Sequence, residues 1–350
     1  MHRSWPGHRV GLGKSLKLLV LGGTAFLGRH YVEAALEAGH EVTLFNRGQT
    51  HPELFPEIER LHGDRNADLS PLRGRDWDAV FDPSAFVPRQ VRAVLEALDG
   101  RAGHYAFVSS ISVYPLYQAD KSESAPVIQL EDPSTEDVGA SYGGLKALCE
   151  RAAAEMLPGR VLTIRAGLIV GPHDPSNRFT YWPARIARGG EVLAPGSPDT
   201  RVQFIHARDI ADWALNMAGR GGSGTFNVTG PEPPTTMGQV LDACVAVSRG
   251  GATLTWVSEE FLLEQKVGPW MEMPLWLPPH LGSLQAPIER AVAEGLRFRP
   301  LAQTVAETLA WERGCEPEPP QLDAGGRVRQ RGGMAPEREQ ELLAAWHSRT

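Results

Sequence analysis

The sequence predicts an α/β fold in which a doubly wound parallel sheet is joined to a smaller, irregular C-terminal lobe. From Lys17 to about Val170, short continuous apolar runs alternate with longer amphipathic stretches. After Gly171, proline and glycine become frequent and this alternation loosens. Continuous apolar strands separated by helices are typical of a parallel sheet that helices cover on both faces.

The apolar runs are the predicted strands of the first region, and the amphipathic stretches are its predicted helices. Strands are expected at 18–21, 42–45, 79–81, 105–108 and 161–164, with a further strand ending before Gly63. Helices are expected at 27–38 and 87–98, each followed closely by a glycine, Gly39 and Gly100. Glycine is a typical helix stop because it adopts the left-handed conformation without strain.

The second region contains shorter segments with mixed patterns. They lie at 179–188, 202–206, 209–218, 226–229 and 237–247, followed by a strand-like 253–257, a proline-rich piece near 273–279, and helices around 305–311 and 336–346. Segment 313–335 is rich in proline, glycine and charge, which predicts an exposed linker.

The composition indicates a cytoplasmic protein without a membrane span, a metal site or a nucleic-acid partner. Its 350 residues suit a two-lobed enzyme, and 42% hydrophobic with 22% charged residues is ordinary for a soluble chain. A net charge of −7 counts against nucleic-acid binding. No apolar run is long enough for a membrane span or a secretory signal. The cysteines are sparse and the histidines show no ligand-like spacing: Cys149, Cys244 and Cys315 form no CxxC pair.

A glycine-rich turn follows the first predicted strand and opens the first predicted helix. In this order Gly22 permits a tight turn, the small Ala25 lets the backbone approach a pyrophosphate, and Gly28 lets the helix pack on the strand. The free amides at the start of the helix would then face the phosphates. The predicted cofactor contacts in this turn are Gly22, Thr24, Ala25, Phe26, Leu27 and Gly28.

The end of the second strand predicts NADP rather than NAD. An acidic residue at this place would bond the adenosine ribose of NAD, but the chain reads Phe45-Asn46-Arg47-Gly48. Arg47 could hold a 2′-phosphate, with Asn46 beside it; the alternative is a solvated arginine on an exposed loop. After the third strand, Asp64 either lies near the adenine amino group or serves as a turn residue, with Arg65 next to it.

Tyr142 and Lys146 form the predicted catalytic pair. Their spacing of four places them one turn apart on the face of a helix that is predicted to start at Tyr142 and to run on through Met156. A neighbouring ammonium favours the phenolate, so Tyr142 can exchange a proton with the substrate while Lys146 also bonds the nicotinamide ribose. Ser110, at the end of a central strand, could bond the reacting oxygen; Ser109 and Ser112 are either further contacts or caps of backbone groups.

Together these motifs resemble the extended and atypical short-chain dehydrogenase/reductases, the NAD-dependent epimerase/dehydratase family. The resemblance runs from about Lys17 to Gly230 and includes 204–209 and 226–230 in the second half. It implies Tyr142 as general acid/base, Lys146 as its partner and Ser110 as the orienting hydroxyl. It also implies cofactor contacts around Ala85 after strand four, and at Ala166 and Leu168 after strand six.

The chain departs from the family's pattern at three places. The 4,6-dehydratases carry an acidic pair after the hydroxyl residue, where this chain has Ile111 and Ser112. The sugar-nucleotide epimerases place an arginine where this chain has Val202, and Arg201 is one residue out of step. Finally, the glycine turn and Asn-Arg-Gly after strand two are similar to an atypical subgroup that includes chloroplast stem-loop RNA-binding relatives, many without a full catalytic set. Because this chain has both Tyr142 and Lys146, the sequence favours a catalytic function over a non-catalytic one.

These observations predict a short-chain dehydrogenase/reductase that transfers a hydride at a carbonyl or alcohol carbon of a small molecule with NAD(P), NADP being favoured. The alternatives are a sugar epimerase with tightly held NAD, or a cofactor-sensing or RNA-binding scaffold. The resemblance implies a homodimer. The predicted organisation is an N-terminal extension at 1–15, a dinucleotide-binding Rossmann domain at 16–170 with return segments at about 201–230, and a substrate lobe at 171–200 and 231–350. Candidate substrate residues, each with core packing or a simple structural role as the alternative, are Ser112, His173, Phe179 and Trp182.

Overall fold

The computed structural model describes residues 14–315 and 331–349. Residues 1–13 of the predicted N-terminal extension and residues 316–330 of the predicted linker lie outside this part of the chain.

Strands and helices alternate through the first region, as predicted. The strands are β1 (Lys17–Leu21), β2 (Glu41–Asn46), β3 (Glu59–His62), β4 (Ala79–Asp82), β5 (Tyr105–Ser110), β6 (Val161–Ala166), β7 (Ile169–Val170), β8 (Gly190–Pro195), β9 (Arg201–Val202), β10 (Ile205–His206), β11 (Gly224–Val228), β12 (Thr235–Thr236) and β13 (Ala252–Val257). The helices are α1 (Phe26–Glu37), α2 (Pro88–Leu98), α3 (Val138–Met156), α4 (Tyr181–Ala187), α5 (Ala207–Gly219), α6 (Met237–Ser248), α7 (Glu259–Glu264), α8 (Glu289–Ala293), α9 (Leu301–Gly314) and α10 (Pro336–His347).

A seven-stranded sheet in the order β11-β6-β5-β4-β1-β2-β3 confirms the predicted doubly wound α/β fold. Strand β1 pairs in parallel with both β2 and β4, and the pairs β2–β3 and β4–β5 are also parallel. The strand order reverses between β1 and β4, because the chain first builds outwards to β3 and then returns to the other side of β1. Ligands of open α/β sheets bind at the carboxyl ends of the strands beside such a reversal.

The centre of the sheet is buried because its central strands β1, β4 and β5 consist largely of apolar residues. Leu19 and Val20 of β1, Val80 and Phe81 of β4 and Phe107 of β5 are completely buried. Burying such a side chain contributes about 1.5–3 kcal/mol. These strands therefore form a fixed platform for the residues at their carboxyl ends.

The chain divides into two compact units. The first comprises the described residues up to Val113, together with Val127–Arg165 and Ile210–Phe226. The second comprises Tyr114–Pro126, Ala166–Asp209 and the described residues from Asn227 onwards, and has its own apolar core around α4, α6 and β8. The boundary at 170 and the return segment at 201–230 stay predictions.

One predicted element of the second unit is divided in the structure. Residues 202–206 form two short strands, because β9 pairs antiparallel with β12 whereas β10 pairs in parallel with β7. The chain changes partner at Gln203 and Phe204, a change that apolar periodicity does not show. None of the helices within residues 14–315 and 331–349 is long and apolar enough to cross a bilayer.

Candidate active site

The turn between β1 and α1 favours glycine at two positions, Gly22 and Gly23. The Gly22 N–H donates to the Phe45 carbonyl over 2.9 Å, which ties the turn to the end of β2. Both Gly22 and Gly23 have positive φ, at +112° and +89°, a region that favours glycine. A Cβ on Gly23 would lie 2.6 Å from Leu44 Cδ2, so Gly23 is required here although sequence reasoning did not single it out.

The start of α1 lies directly against this turn. A Cβ on Gly28 would lie 3.0 Å from Gly23 N, which is the close helix–strand approach predicted for Gly28. Ala25, which has an extended backbone and no side-chain acceptor, occupies the N-cap. The first amides of the helix thus receive no hydrogen bond from the N-cap side chain, an arrangement suited to a pyrophosphate. Thr24 and Leu27 are buried beside it, and Phe26 opens the helix with a φ of +31°.

Asn46 holds the turn and the following loop together. Its side-chain amide donates to the Gly22 carbonyl over 2.9 Å, and its oxygen accepts from the Gly48 N–H over 3.0 Å. The intervening Arg47 is exposed. In the portion of the chain that the structure covers, the Arg47 guanidinium makes no hydrogen bond or ion pair. The loop therefore presents a cation at the place where the sequence predicts a 2′-phosphate.

The two predicted residues after β3 are used within the protein. Asp64 Oδ1 accepts from the Asn66 N–H over 2.9 Å, which is the turn role that the sequence left open. Arg65 donates to Asp82 Oδ2 over 2.8 Å, with a side chain that is only 12% exposed.

Asp82, at the carboxyl end of β4, was missed by sequence reasoning. It also accepts from the Tyr105 hydroxyl over 2.6 Å and from the backbone amides of Ser84 and Ala85. Burial alone would raise the pKa of Asp82, but the Arg65 guanidinium outweighs this and lowers it. The ionised carboxylate thereby fixes the turn that ends in Ala85. Its position at the end of a central strand could have identified Asp82 in the sequence, because functional residues of open α/β sheets lie at such strand ends.

Three serines surround the tip of β5. Ser109 points away from the strand end, since its hydroxyl donates to Glu150 Oε1 over 2.5 Å. Ser110 Oγ accepts from the Ser112 N–H over 3.1 Å, and Ser110 is 9% exposed. Ser112 is half-buried in the tight turn that follows. Of the three hydroxyls, Ser110 is thus the one that lies at the end of the central strand and outside the Glu150 network.

Tyr142 lies in the first turns of α3, next to this tip. The helix begins at Val138, earlier than the predicted start, because Asp137 caps it by accepting from the Ala140 N–H over 3.1 Å. A non-helical residue, Ser141, kinks it immediately before the tyrosine. A Cβ on Gly143 would lie 2.0 Å from Ser112 O, so backbone meets backbone at this point. Gly143 therefore fixes how closely the tyrosine-bearing turn approaches the serine turn.

Lys146 is buried on the same helix. Its Nζ donates to the Ala85 carbonyl over 2.8 Å and to the Val108 carbonyl over 2.6 Å. The ammonium also lies 5.5 Å from the centre of the Phe86 ring, which is itself 6.4 Å from the Tyr142 ring. Burial lowers the pKa of Lys146 to about 8. Lys146 and Tyr142 thus flank the partly exposed Phe86, a neighbour that sequence spacing did not reveal.

The remaining predicted contacts lie in the second unit. Ala166 and Leu168 are buried, and the Leu168 carbonyl accepts from the Ile205 N–H over 2.8 Å. His173 has a positive φ of +68° and makes an edge-on ring contact with Trp311. Phe179 and Trp182 are completely buried in the core of this unit, and the Trp182 indole donates to the Pro274 carbonyl. This placement is the core packing that the sequence left open for both aromatic residues.

The arrangement in the first unit suits a dinucleotide and a proton transfer. The glycine turn suits a pyrophosphate, because backbone amides without side chains can come close to the phosphate oxygens. Tyr142, Lys146 and Ser110 are polar groups near the strand ends on the β5 side of the reversal. The described residues contain no group of three or more metal-ligating side chains.

The strand order and the glycine turn after β1 define an α/β protein of the doubly wound type. The NAD dependent epimerase/dehydratase family model matches residues 18–229, more than half of the chain. The chain belongs to this family of enzymes, which confirms the predicted resemblance.

Individual relatives are more distant. The chain is 26% identical over 253 residues to the chloroplast stem-loop binding protein of 41 kDa b from Arabidopsis thaliana. This alignment covers 67% of this chain and 64% of the relative. It is 23% identical over 248 residues to a UDP-glucose 4-epimerase from Neisseria meningitidis serogroup C, covering 56% and 71%. The chain thus spans slightly less than two thirds of the first of these relatives.

The fold is similar to that of solved enzymes. WbmH from Bordetella bronchiseptica, in complex with NAD+, superimposes with a TM-score of 0.63 at 18% identity, over 85% of this chain and 99% of that one. At this identity the similarity shows the fold.

Proposed function

We propose that this protein is an NAD(P)-dependent enzyme that transfers a hydride at a carbonyl or alcohol carbon, with Tyr142 as general acid/base. One observation carries the proposal: a single compact unit holds both the glycine turn and the Tyr142 helix, packed through Gly143 against the Ser110–Ser112 turn. A cradle for a dinucleotide and a proton donor on neighbouring strand ends are the two parts that such a reaction needs.

The roles of the chain's own residues follow from their chemistry. When bound, the nicotinamide ring accepts or supplies the hydride. Tyr142 gives a proton to the substrate oxygen or removes one from it, and Ser110 orients that oxygen by a hydrogen bond. Lys146 favours ionisation of the phenol by its positive charge and offers Nζ to the ribose. The amides at the start of α1 bind the pyrophosphate, with Asn46 holding the turn in shape.

We also propose that NADP is the preferred cofactor. The exposed guanidinium of Arg47 supports this preference, because a bidentate arginine–phosphate contact is among the stronger hydrogen-bonded pairs. The preceding Asn46 supports the same preference, since it offers no carboxylate to the ribose of NAD.

Epimerisation is the second candidate, and family membership favours it. It would use the same three side chains, with the hydride returned to the opposite face of the substrate. The buried Val202 and the adjacent exposed Arg201 count against a nucleoside diphosphate sugar, because the expected arginine is absent from its strand position. The two candidates differ in cofactor balance: a reductase consumes added NADPH with its substrate, whereas an epimerase shows no net turnover.

A binding role without chemistry is the remaining alternative, as a cofactor sensor or an RNA-binding scaffold. It predicts that Tyr142→Phe leaves function intact, and the net charge of −7 counts against RNA. For the enzyme we propose a small-molecule substrate and a cytoplasmic homodimer. Three dispersed cysteines support the reducing compartment, and the family resemblance supports the dimer.

The test is a calorimetric titration of the purified protein with NADPH and NADH. We expect tighter binding of NADPH, and a loss of about 10- to 100-fold in NADPH affinity for Arg47→Ala, since a hydrogen bond to a charged group contributes about 1.5–3 kcal/mol. Arg73→Ala, at another exposed arginine of the same unit, is the matched control. Tyr142→Phe should keep cofactor affinity and lose most turnover. Tighter binding of NADH together with an unaffected Arg47→Ala variant would remove the NADP preference, and full turnover of Tyr142→Phe would refute the acid/base role.

A further inference from the structure

A buried carboxylate joins α3 to the ends of two strands. Glu150 Oε1 accepts from the Ser109 hydroxyl over 2.5 Å and from Arg165 Nε over 3.0 Å, while Oε2 accepts from Arg165 Nη2 over 2.7 Å. All three residues are buried, with exposures of 9% for Glu150, 6% for Arg165 and 3% for Ser109. Ser109 lies on β5 and Arg165 on β6, so one side chain of α3 contacts both strands.

Stability alone does not explain an ion pair at this place. Desolvation of two buried charges offsets most of their attraction, and apolar replacements of such pairs are often neutral or stabilising. A buried pair does, however, fix position, because removing either partner leaves the other charge uncompensated. The bidentate contact with the Arg165 guanidinium allows α3 little freedom to slide or turn against the sheet.

The position that is fixed is that of the proposed catalytic groups. Glu150 follows Lys146 by four residues, so both side chains lie on the same face of α3. Ser109 directly precedes Ser110 on β5. A displacement of the helix at Glu150 would therefore move Lys146 Nζ away from the Val108 carbonyl, to which it now donates.

We propose that Glu150 is a positioning residue for the nicotinamide end of the site, acting through α3 and the tip of β5 without touching the cofactor. The inference rests on the proposed function, because it takes Lys146 as the group that meets the nicotinamide ribose. In this proposal the Ser109–Glu150–Arg165 network serves to align the site, not to add to the general stability of the fold.

The test compares two ligands that share one end. In the proposed binding mode ADP meets only the glycine turn and the end of β2, whereas NADPH also carries the 2′-phosphate that faces Arg47 and the nicotinamide half that reaches the Lys146 end. We expect Glu150→Gln to weaken NADPH binding about tenfold while ADP affinity changes less than twofold, both measured by calorimetry. Arg165→Met should act in the same direction, and the double variant should be far from additive because both changes break one network.

Matched controls separate the outcomes. Glu155→Gln makes the same chemical change on the exposed side of α3, where Glu155 pairs with Arg92 and Arg151, and should alter neither affinity. Lys146→Met should weaken NADPH binding and spare ADP. Should Glu150→Gln fail to fold, Ser109→Ala removes a single hydroxyl and leaves the ion pair, and we expect it to weaken NADPH binding about threefold.

Two results would overturn the positioning role of Glu150 but leave the proposed function standing. In the first, Lys146→Met weakens NADPH binding, whereas the folded Glu150 and Ser109 variants bind NADPH as wild type does. In the second, the Glu150 and Ser109 variants lose affinity for ADP and for NADPH equally. If wild-type protein bound NADPH no more tightly than ADP, or Lys146→Met had no effect, the proposed function itself would fail and the positioning role with it.

Discussion

The surroundings of Lys146 differ from what its sequence position indicates. A spacing of four from Tyr142 predicts an ammonium beside a phenol, yet the structure places Nζ between two backbone carbonyls and the ring of Phe107, 4.3 Å away. These partners carry no full negative charge, so desolvation dominates and holds the pKa of Lys146 near 8. The ammonium is therefore easier to deprotonate than an exposed lysine, which brings its titration close to physiological pH.

This lowered pKa gives a stability prediction. Between about pH 8 and the ordinary value of 10.5 the unfolded chain keeps the proton on Lys146 and the folded protein releases it. The free energy of unfolding of wild type relative to Lys146→Met should therefore rise with pH across this window, by up to about 3 kcal/mol, and stay flat below it. Urea denaturation at pH 7, 8, 9 and 10 measures the difference. A difference that falls with pH would contradict the assignment.

Helix α3 shows how one element brings the site together. Its capped start at Asp137, its kink at Ser141 and its contact with the serine turn at Gly143 set the position of Tyr142, and its middle carries Lys146 and Glu150. Each of these features depends on backbone geometry or on a distant partner, and only the Tyr–Lys spacing was visible in the sequence.

Gly143 offers a direct test of this packing. Alanine there would gain about 1 kcal/mol of helix propensity, but its Cβ would collide with Ser112 O at 2.0 Å. We expect a net destabilisation of about 1–3 kcal/mol and weaker NADPH binding, because helix and turn must separate. Gly219→Ala, in the last turn of α5 with no atom within 4 Å of the added Cβ, should be neutral or stabilising. Equal melting temperatures for the two variants would contradict this prediction, because they would mean that the serine turn can move to accommodate the added Cβ at little cost in free energy.

Much of the sheet could be predicted because its strands are continuous apolar runs. Strands β1, β2, β4, β5 and β6 were located to within two residues, whereas β3 (Glu-Arg-Leu-His) has a single buried apolar residue, Leu61, and was only placed by the Gly63 that follows. The networks behind the site could not be predicted. Asp82 finds Arg65 and Tyr105 at separations of 17 and 23 residues, and such pairings arise only when the strand order is known.

At the scale of the whole molecule, each of the two units contains an ionisable group whose shifted pKa makes stability depend on pH. The first unit buries Lys146, which titrates in alkali. The second contains Glu307, which lies 3.2 Å from His206 Nε2 and 2.6 Å from Arg299 Nη1. Burial alone would raise the pKa of Glu307, but His206 and Arg299 outweigh it and lower the pKa to about 2.

Acid should therefore weaken the second unit through Glu307. A carboxylate with a lowered pKa stabilises the fold above its ordinary value of 4.5, and this contribution is lost as the pH falls towards 2. We expect wild type to exceed Glu307→Gln in stability at pH 6, with the advantage shrinking at pH 4.5 and again at pH 3.5, in urea denaturation. An advantage that is constant over this range would mean that the charge of Glu307 is unimportant.

The double hydrogen bond of Asn46 bears on any attempt to re-engineer cofactor choice. Converting an enzyme to the non-phosphorylated dinucleotide usually means adding a carboxylate at the end of the second strand. In this chain an aspartate in place of Asn46 would set an anion against the Gly22 carbonyl and remove the hydrogen bond that ties the glycine turn to the end of β2. Under the proposed preference, a designer would leave the asparagine untouched and begin with Arg47, whose exposed side chain can be exchanged without disturbing the turn.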